Sequence, residues 1–223
     1  LADIQMTDKI LSVKEMQAFE SAYINAKVSA SALMERAGKM CAYKIIKTYF
    51  NQGQKGLVTI FCGPGGNGGD GLVIARILRQ KNIKCTCFLV PPSNGRLKDL
   101  IAQNKKRAMD ADVNVIGIGE DASDAEIYAK KSYLVVDALL GLGAGAGYAP
   151  RPIFQAVCDA VNTGSKIVSI DGPSGIEMDD GKKYLERPVK AAETYVLGFM
   201  KRGLIEPCAA EYVGQLSVLD IFA

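Results

Sequence analysis

Gly56-Leu57-Val58-Thr59-Ile60-Phe61-Cys62 runs directly into Gly63-Pro64-Gly65-Gly66-Asn67-Gly68-Gly69-Asp70-Gly71. The first seven residues form a short apolar run bounded by glycines, the pattern of a strand buried on both faces. Six of the next nine residues are glycine. A loop of that kind can bring bare backbone N–H groups against a phosphate at the positive end of a following helix. The spacing predicts that helix from about Asp70 to Gln80, with Asp70 as its N-cap.

The same rhythm continues outward. Lys84–Val90, Asn114–Ile118, Tyr133–Ala138, Lys166–Ile170, Glu193–Leu197 and Gln215–Leu219 read as further strands. Helices are expected over Asn94–Asp110, in a short segment capped at Ser123, and over Ile153–Asn162, where Pro152 precedes and Gly164 follows. Upstream, Ser12-Val13-Lys14-Glu15 is a capping box opening a helix to about Ala26, and Ser29–Phe50 is a second helix. Continuously apolar strands alternating with helices predict a mostly parallel sheet covered on both faces. The expectation is a Rossmann-like three-layer αβα sandwich in a single domain over 1–223, with an N-terminal helical extension.

Composition removes several chemistries. The 223 residues include no histidine, which excludes Ser-His-Asp and Cys-His catalysis and His-based zinc sites. Acid/base work near neutral pH falls to Asp, Glu, Lys, Tyr or Cys. The six cysteines contain no CxxC pair and read as small buried thiols. A net charge of +3, with no basic run beyond Lys105-Lys106-Arg107, gives no nucleic-acid surface. No apolar stretch reaches membrane-span length, and Leu1–Val13 carries Asp3, Asp8 and Lys9, which no signal peptide would. An intracellular protein is expected, cytoplasmic by preference, with a mitochondrial location left open.

In open parallel sheets, ligands bind beyond the carboxyl ends of the strands. Three loops there carry chemistry. Gly63, Gly65 and Gly68 meet the literal GxGxxG spacing. The acidic residue wanted about 20 positions on is replaced by Leu89-Val90-Pro91-Pro92, which disfavours a dinucleotide dehydrogenase. The loop also lacks the Lys-Ser/Thr of a P-loop. The second loop is Asp137-Ala138-Leu139-Leu140-Gly141-Leu142-Gly143-Ala144-Gly145-Ala146-Gly147, a carboxylate followed by four alternate glycines. Asp137 there suits a turn cap, a hard-cation ligand or a substrate contact. The third is Asp171-Gly172-Pro173-Ser174-Gly175. Asp171 suits a turn, or a general acid/base held at a strand end.

Together with Ala32-Leu33-Met34-Glu35-Arg36-Ala37-Gly38, Met200-Lys201-Arg202-Gly203-Leu204 and Val213–Ile221, these loops resemble the NAD(P)H-hydrate epimerase family, also called the YjeF N-terminal domain. The resemblance covers nearly the whole chain. It implies an isomerase that interconverts the R and S epimers of hydrated NADH or NADPH, upstream of an S-specific dehydratase. It implies substrate contacts at Gly66, Asn67, Gly68, Gly69, Asp70, Gly141, Leu142, Gly143, Ala144, Gly145, Ala146, Gly147 and Asp171. It also implies one potassium ion per subunit on Asn67, Asp137 and Ser174. Asp171 would be the leading acid/base, with Lys201 a secondary candidate for proton transfer or electrostatic support. A homodimer is expected, with neither nucleic acid nor membrane as partner. Three departures stand out. Gly66 takes the place of a second Asn, Gly172 that of Val or Ile, and the loop from Gly141 carries Leu142 and small Ala residues. A non-catalytic dimeric scaffold of the same fold, as in RNA-decay assemblies, is the alternative. Such scaffolds would lose acid/base or ion-ligand residues, and here Asn67, Asp70, Asp137, Asp171 and Ser174 are all present.

Overall fold

The computed structural model describes residues 9–119, 122–144 and 149–223. Seven strands form one parallel sheet. They are β2 (Val58–Cys62), β3 (Cys85–Leu89), β4 (Asn114–Gly117), β5 (Leu134–Ala138), β6 (Ile167–Ile170), β7 (Glu193–Leu197) and β9 (Gln215–Leu219). Their spatial order is β4-β3-β2-β5-β6-β7-β9. The chain enters at β2, runs out to the β4 edge, then returns to place β5 on the other side of β2. Val58 is therefore in register with both Cys85 and Leu134. That reversal leaves a crevice above the carboxyl ends of β2 and β5, the place where this topology accepts ligands.

Alternation along the strands builds the two outer layers. Ile60, Cys62, Val136 and Val168 point to one face, where α2 (Ala30–Tyr49), α3 (Gly66–Gln80) and α4 (Asp99–Asp110) cover them. Phe61, Phe88, Val135 and Ile167 point to the other, under α5 (Ser123–Lys131) and α6 (Pro152–Val161). Phe61 and Phe88 stack at 5.7 Å between centroids. These apolar strands are buried on both sides, as expected from their lack of polar alternation.

The capping box at Ser12 forms as expected. Its Oγ accepts from the Glu15 N–H at 3.2 Å and Glu15 Oε2 accepts from the Ser12 N–H at 2.8 Å, opening α1 (Val13–Ala26). Both leading helices pack on this chain's own core. A Cβ on Gly38 of α2 would sit 2.5 Å from Val73 Cβ, so the α2–α3 approach requires glycine there. On α1, Phe19 meets Phe199 and Phe222 edge-on, each at 4.9 Å.

Four local expectations are corrected. α3 begins at Gly66 with Gly65 as N-cap, so Asp70 lies a turn inside the helix and caps nothing. Low glycine propensity suggests a loop, but tertiary contact overrides it: a Cβ on Gly68 would fall 1.8 Å from the Gly63 carbonyl oxygen. The helix expected from Asn94 starts at Asp99. Ser123 is inside α5, whose N-cap is Ala122. A two-residue pair, β1 (Ile10–Leu11) against β8 (Met200–Lys201), carries too little pattern to be read beforehand. Five cysteines are buried, while Cys208 is exposed. Among the described residues, no helix is long and apolar enough to cross a membrane.

Candidate active site at the switch point

The first turn of α3 closes one end of the crevice. Its first internal hydrogen bond runs from the Gly69 N–H to the Gly65 carbonyl at 3.1 Å. The preceding N–H groups, Gly66 to Gly68, have no acceptor within the helix and carry the positive end of its dipole. Nothing lies within 4 Å of where a Cβ on Gly65 or Gly66 would be, so the open space there is left for a ligand. Gly68 and Gly69 serve packing instead: Gly68 lies on Gly63, and Gly69 faces Met34. Exposed Lys98 also lines the cavity.

Asn67 turns inward from this helix. Its Nδ2 donates to the carbonyls of Leu140 at 3.0 Å and Ile170 at 3.1 Å, tying α3 to the loops after β5 and β6. Its Oδ1 is buried and has no partner among the described residues. A buried polar atom left without a partner costs about 1–3 kcal/mol, so this one calls for an explanation.

Behind Leu140 lies Asp137, wholly buried at the end of β5. Its carboxyl accepts from the Ser174 N–H at 2.9 Å, Ser174 Oγ at 2.7 Å, Ser169 Oγ at 2.8 Å and the Leu139 N–H at 3.2 Å. Ser174 Oγ in turn accepts from the Leu140 N–H at 3.0 Å. Leu140 therefore joins Asn67 through its carbonyl and Ser174 through its amide. Burial pushes the Asp137 carboxyl above the usual range, while the Ser174, Ser169 and Leu139 donors pull it back. It has no cationic side chain beside it among the described residues.

Asp171 follows β6 directly. Its φ of 69° lies in the left-handed region, uncommon for a residue with a side chain and characteristic of functional turns. The Asp171 N–H donates to the Tyr195 carbonyl at 2.7 Å, which holds the turn against β7. Lys201 Nζ donates to Asp171 Oδ1 at 2.5 Å and to the Leu197 carbonyl at 2.7 Å, and Lys201 itself has no exposed surface. The second carboxyl oxygen faces the cavity: a Cβ on Gly141 would lie 3.4 Å from Asp171 Oδ2 and 3.2 Å from Asn67 Cβ. Gly172 avoids Met178, whose Cε sits 2.5 Å from where its Cβ would lie; Met178 occupies the space a branched residue would fill.

The cavity measures about 540 Å³ and is lined by Gly65, Gly66, Asn67, Asp70, Leu139–Ala144 and Asp171. Of the expected substrate contacts, Gly66, Asn67, Asp70, Gly141, Leu142, Gly143, Ala144 and Asp171 thus share one wall system. Gly145, Ala146 and Gly147 lie outside the described residues. Asp137, Ser174 and Lys201 stand behind the wall, acting through Leu140 and Asp171. Burial, and the nearby Asp171 and Glu20 carboxylates, push the Asp70 carboxyl well above its usual range.

Several lining residues escaped the sequence reading, and one of them is charged and half-buried. Glu20 of α1 reaches the cavity beside Met16 and Gln17. Its signal is periodicity: Met16 is buried and Glu20 is four residues on, hence on the same helix face. Gln17 Nε2 donates to the Leu142 carbonyl at 3.1 Å, fixing α1 to the glycine-rich loop.

Known proteins share the sequence and the fold. The family model described as YjeF-related protein N-terminus matches residues 30–203. A protein of Elusimicrobium minutum named NAD(P)H-hydrate epimerase is 33% identical, over 96% of this chain and 95% of its own length. A Coxiella burnetii protein named bifunctional NAD(P)H-hydrate repair enzyme is 30% identical over 92% of this chain, which covers 40% of that longer protein. The crystal structure of yeast ynu0 superposes with a TM-score of 0.75 at 25% identity, over 87% of this chain and 82% of that one. With switch-point cavity, paired loops and sequence in agreement, the chain belongs to the YjeF-related protein N-terminal family.

Proposed function

We propose that this protein is an NAD(P)H-hydrate epimerase, an isomerase that interconverts the R and S epimers of hydrated NADH or NADPH. The observation that carries the reading is the Asp171–Lys201 pair. A carboxyl oxygen open to the cavity is backed by a wholly buried ammonium at 2.5 Å. Here Oδ2 looks past Gly141 into a space large enough for a nicotinamide ring.

Charge orders the ligand within the cavity. The pyrophosphate suits the free N–H groups of Gly66 to Gly68 and the Lys98 ammonium. The uncharged hydrated ring suits the carboxyl-rich end at Asp171, because an anion there would meet like charge. Asp70 lines the same cavity, where burial and the neighbouring Asp171 and Glu20 carboxylates push its carboxyl upward. A non-catalytic scaffold would have no use for this arrangement. A longer relative named as a bifunctional repair enzyme fits a division of labour with a second, dehydratase step.

A potassium ion on Asn67, Asp137 and Ser174 fits the residues present. The unpartnered Asn67 Oδ1 is an oxygen ligand in waiting, and Asp137 supplies a buried negative charge without a cationic side chain. Oxygen donors suit a hard cation. Among the described residues no cluster of three His, Cys, Asp or Glu exists, which a transition metal would favour. A bound ion would lower the electrostatic cost of the Asp137 charge and steady the Leu140 turn between β5 and α3.

The direct test supplies mixed R and S hydrate with an S-specific dehydratase. Complete consumption is expected only when this protein is added. Asp171→Asn should lower kcat by at least about 100-fold, the scale of a lost acid/base group, with ligand binding retained. Near-normal turnover in that variant removes Asp171 from the chemistry.

A further inference from the structure

The cavity has a second carboxyl group positioned for proton transfer. Glu20 enters from α1, whereas Asp171 enters from the floor after β6, so the two groups reach the cavity from different walls. Among the described residues Glu20 has neither a hydrogen-bond nor an ion-pair partner. The charged groups that face it are Asp171, Asp70 of α3 and Lys201 of β8. Arg202, next along the chain from Lys201, is engaged at 2.9 Å by Glu15. Lys201 is committed to Asp171 and to the Leu197 carbonyl. Among the described residues, then, no cation is paired with Glu20; Lys98 lines the same cavity but makes no ion pair with it.

We propose that Glu20 is the proton donor of the epimerisation and that Asp171 is its accepting counterpart. The proposal rests on the epimerase reading and assigns the two halves of its proton traffic. An aspartate already ion-paired with a buried ammonium suits the accepting half; a carboxyl without a cation suits the donating half. Desolvation pushes Glu20 up from its ordinary range, and the negative Asp171 adds to this, with Lys201 opposing. One carboxyl group without a cation and one held on a buried ammonium thus enter a single cavity from two walls.

The step balances as follows. Glu20 gives its proton to the hydroxyl on C6 of the hydrated ring. The C6–O bond breaks with its electron pair on oxygen, water departs, and the N1 lone pair forms N1=C6. Water then attacks the opposite face of C6, the N1=C6 pair returns to N1, and the attacking water's proton passes to Asp171. One C–O bond breaks and one forms, one water leaves and one enters, and one proton moves from Glu20 to Asp171. Between turnovers Asp171 gives its proton to solvent water and Glu20 takes one back from it, which restores the starting protonation.

The test uses Glu20→Gln, which keeps shape and removes the proton. With R hydrate and an S-specific dehydratase, kcat should fall by at least about 100-fold, with KM within about threefold of wild type. In the wild type kcat should decline at high pH as Glu20 loses its proton; Glu20→Asp should recover part of the rate with that decline displaced. An infrared difference spectrum of the free proteins near pH ~7 should show a protonated-carboxyl band in wild type that Glu20→Gln lacks. Glu20→Gln turnover within threefold of wild type, an unchanged high-pH limb, or no lost carboxyl band each overturns the proposal. A wild type that never consumes the R epimer overturns the epimerase reading itself, and the proposal with it.

Discussion

The two ends of the sheet handle charge in opposite ways. Beyond the amino ends of β6 and β7 lies a groove of about 740 Å³, larger than the 540 Å³ cavity at the switch point. Its charges are matched in pairs. Arg187 meets Asp159 at 2.8 Å and Lys190 meets Glu211 at 2.8 Å. Arg187 holds the Asp159 carboxyl below its usual range, and Lys190 does the same for Glu211. At the switch point, Glu20, Asp70 and Asp137 are all pushed upward, chiefly by burial. Volume does not distinguish a site from a groove here; polar groups buried without full compensation do.

The largest expected contrast comes from removing one lysine at each end. Lys201→Met leaves the buried Asp171 charge without its ammonium and should cost about 3–5 kcal/mol of stability. Denaturant unfolding would show it, together with loss of epimerisation. Lys190→Met breaks an exposed pair and should leave both readouts near wild type. Equal destabilisation by the two variants would erase the distinction between the ends.

pH should separate them next. Asp70 has a raised folded-state pKa, so its contribution is fully present below the unfolded value and is lost as pH climbs through the folded one. Asp70→Asn should therefore gain melting temperature relative to wild type as pH goes from about 5 to about 8. Asp159 is depressed, so its contribution is present above the unfolded value and is lost as pH falls. Asp159→Asn should lose stability at neutral pH and converge on wild type in acid. The two difference curves must slope in opposite directions.

The smallest effect is ionic. Exchanging sodium for potassium chloride at fixed ionic strength should raise the melting temperature by a few degrees, the size expected when a ligand binds only the folded state. Asn67→Ala should abolish the gain, whereas Asn162→Ala in the far groove should keep it.

Much of this contrast is legible in the letters, because strand ends carry it. Asp137, Asp171 and Ser174 each follow an apolar run closely, so alternation of strand and helix is enough to bring them to one edge. Asn67 is legible because glycines flank it. The roles within that edge are less so. Whether Gly66 to Gly71 coil or loop depends on Gly63 packing against Gly68, Met34 against Gly69 and Ala138 against Gly71, and local propensity knows nothing of such neighbours. Lys201 is a secondary candidate by resemblance only; its complete burial against Asp171 shows in the fold and not in its local pattern. Glu20 reads as the solvated side of an amphipathic helix, yet its spacing from Met16 places it inward.

The clasp that holds α1 also constrains the order of events at the ribosome. Tyr23 donates to the Phe222 carbonyl at 3.0 Å, a contact between residues 199 positions apart, and Arg36 donates to the Ala223 carbonyl at 2.8 Å. β2 through β6 can associate while the rest of the chain is still inside the exit tunnel. The wall bearing Glu20 cannot be fastened until Phe222 has been added and released. A nascent chain thus owns its phosphate cradle well before the wall that bears Glu20 is fastened to it.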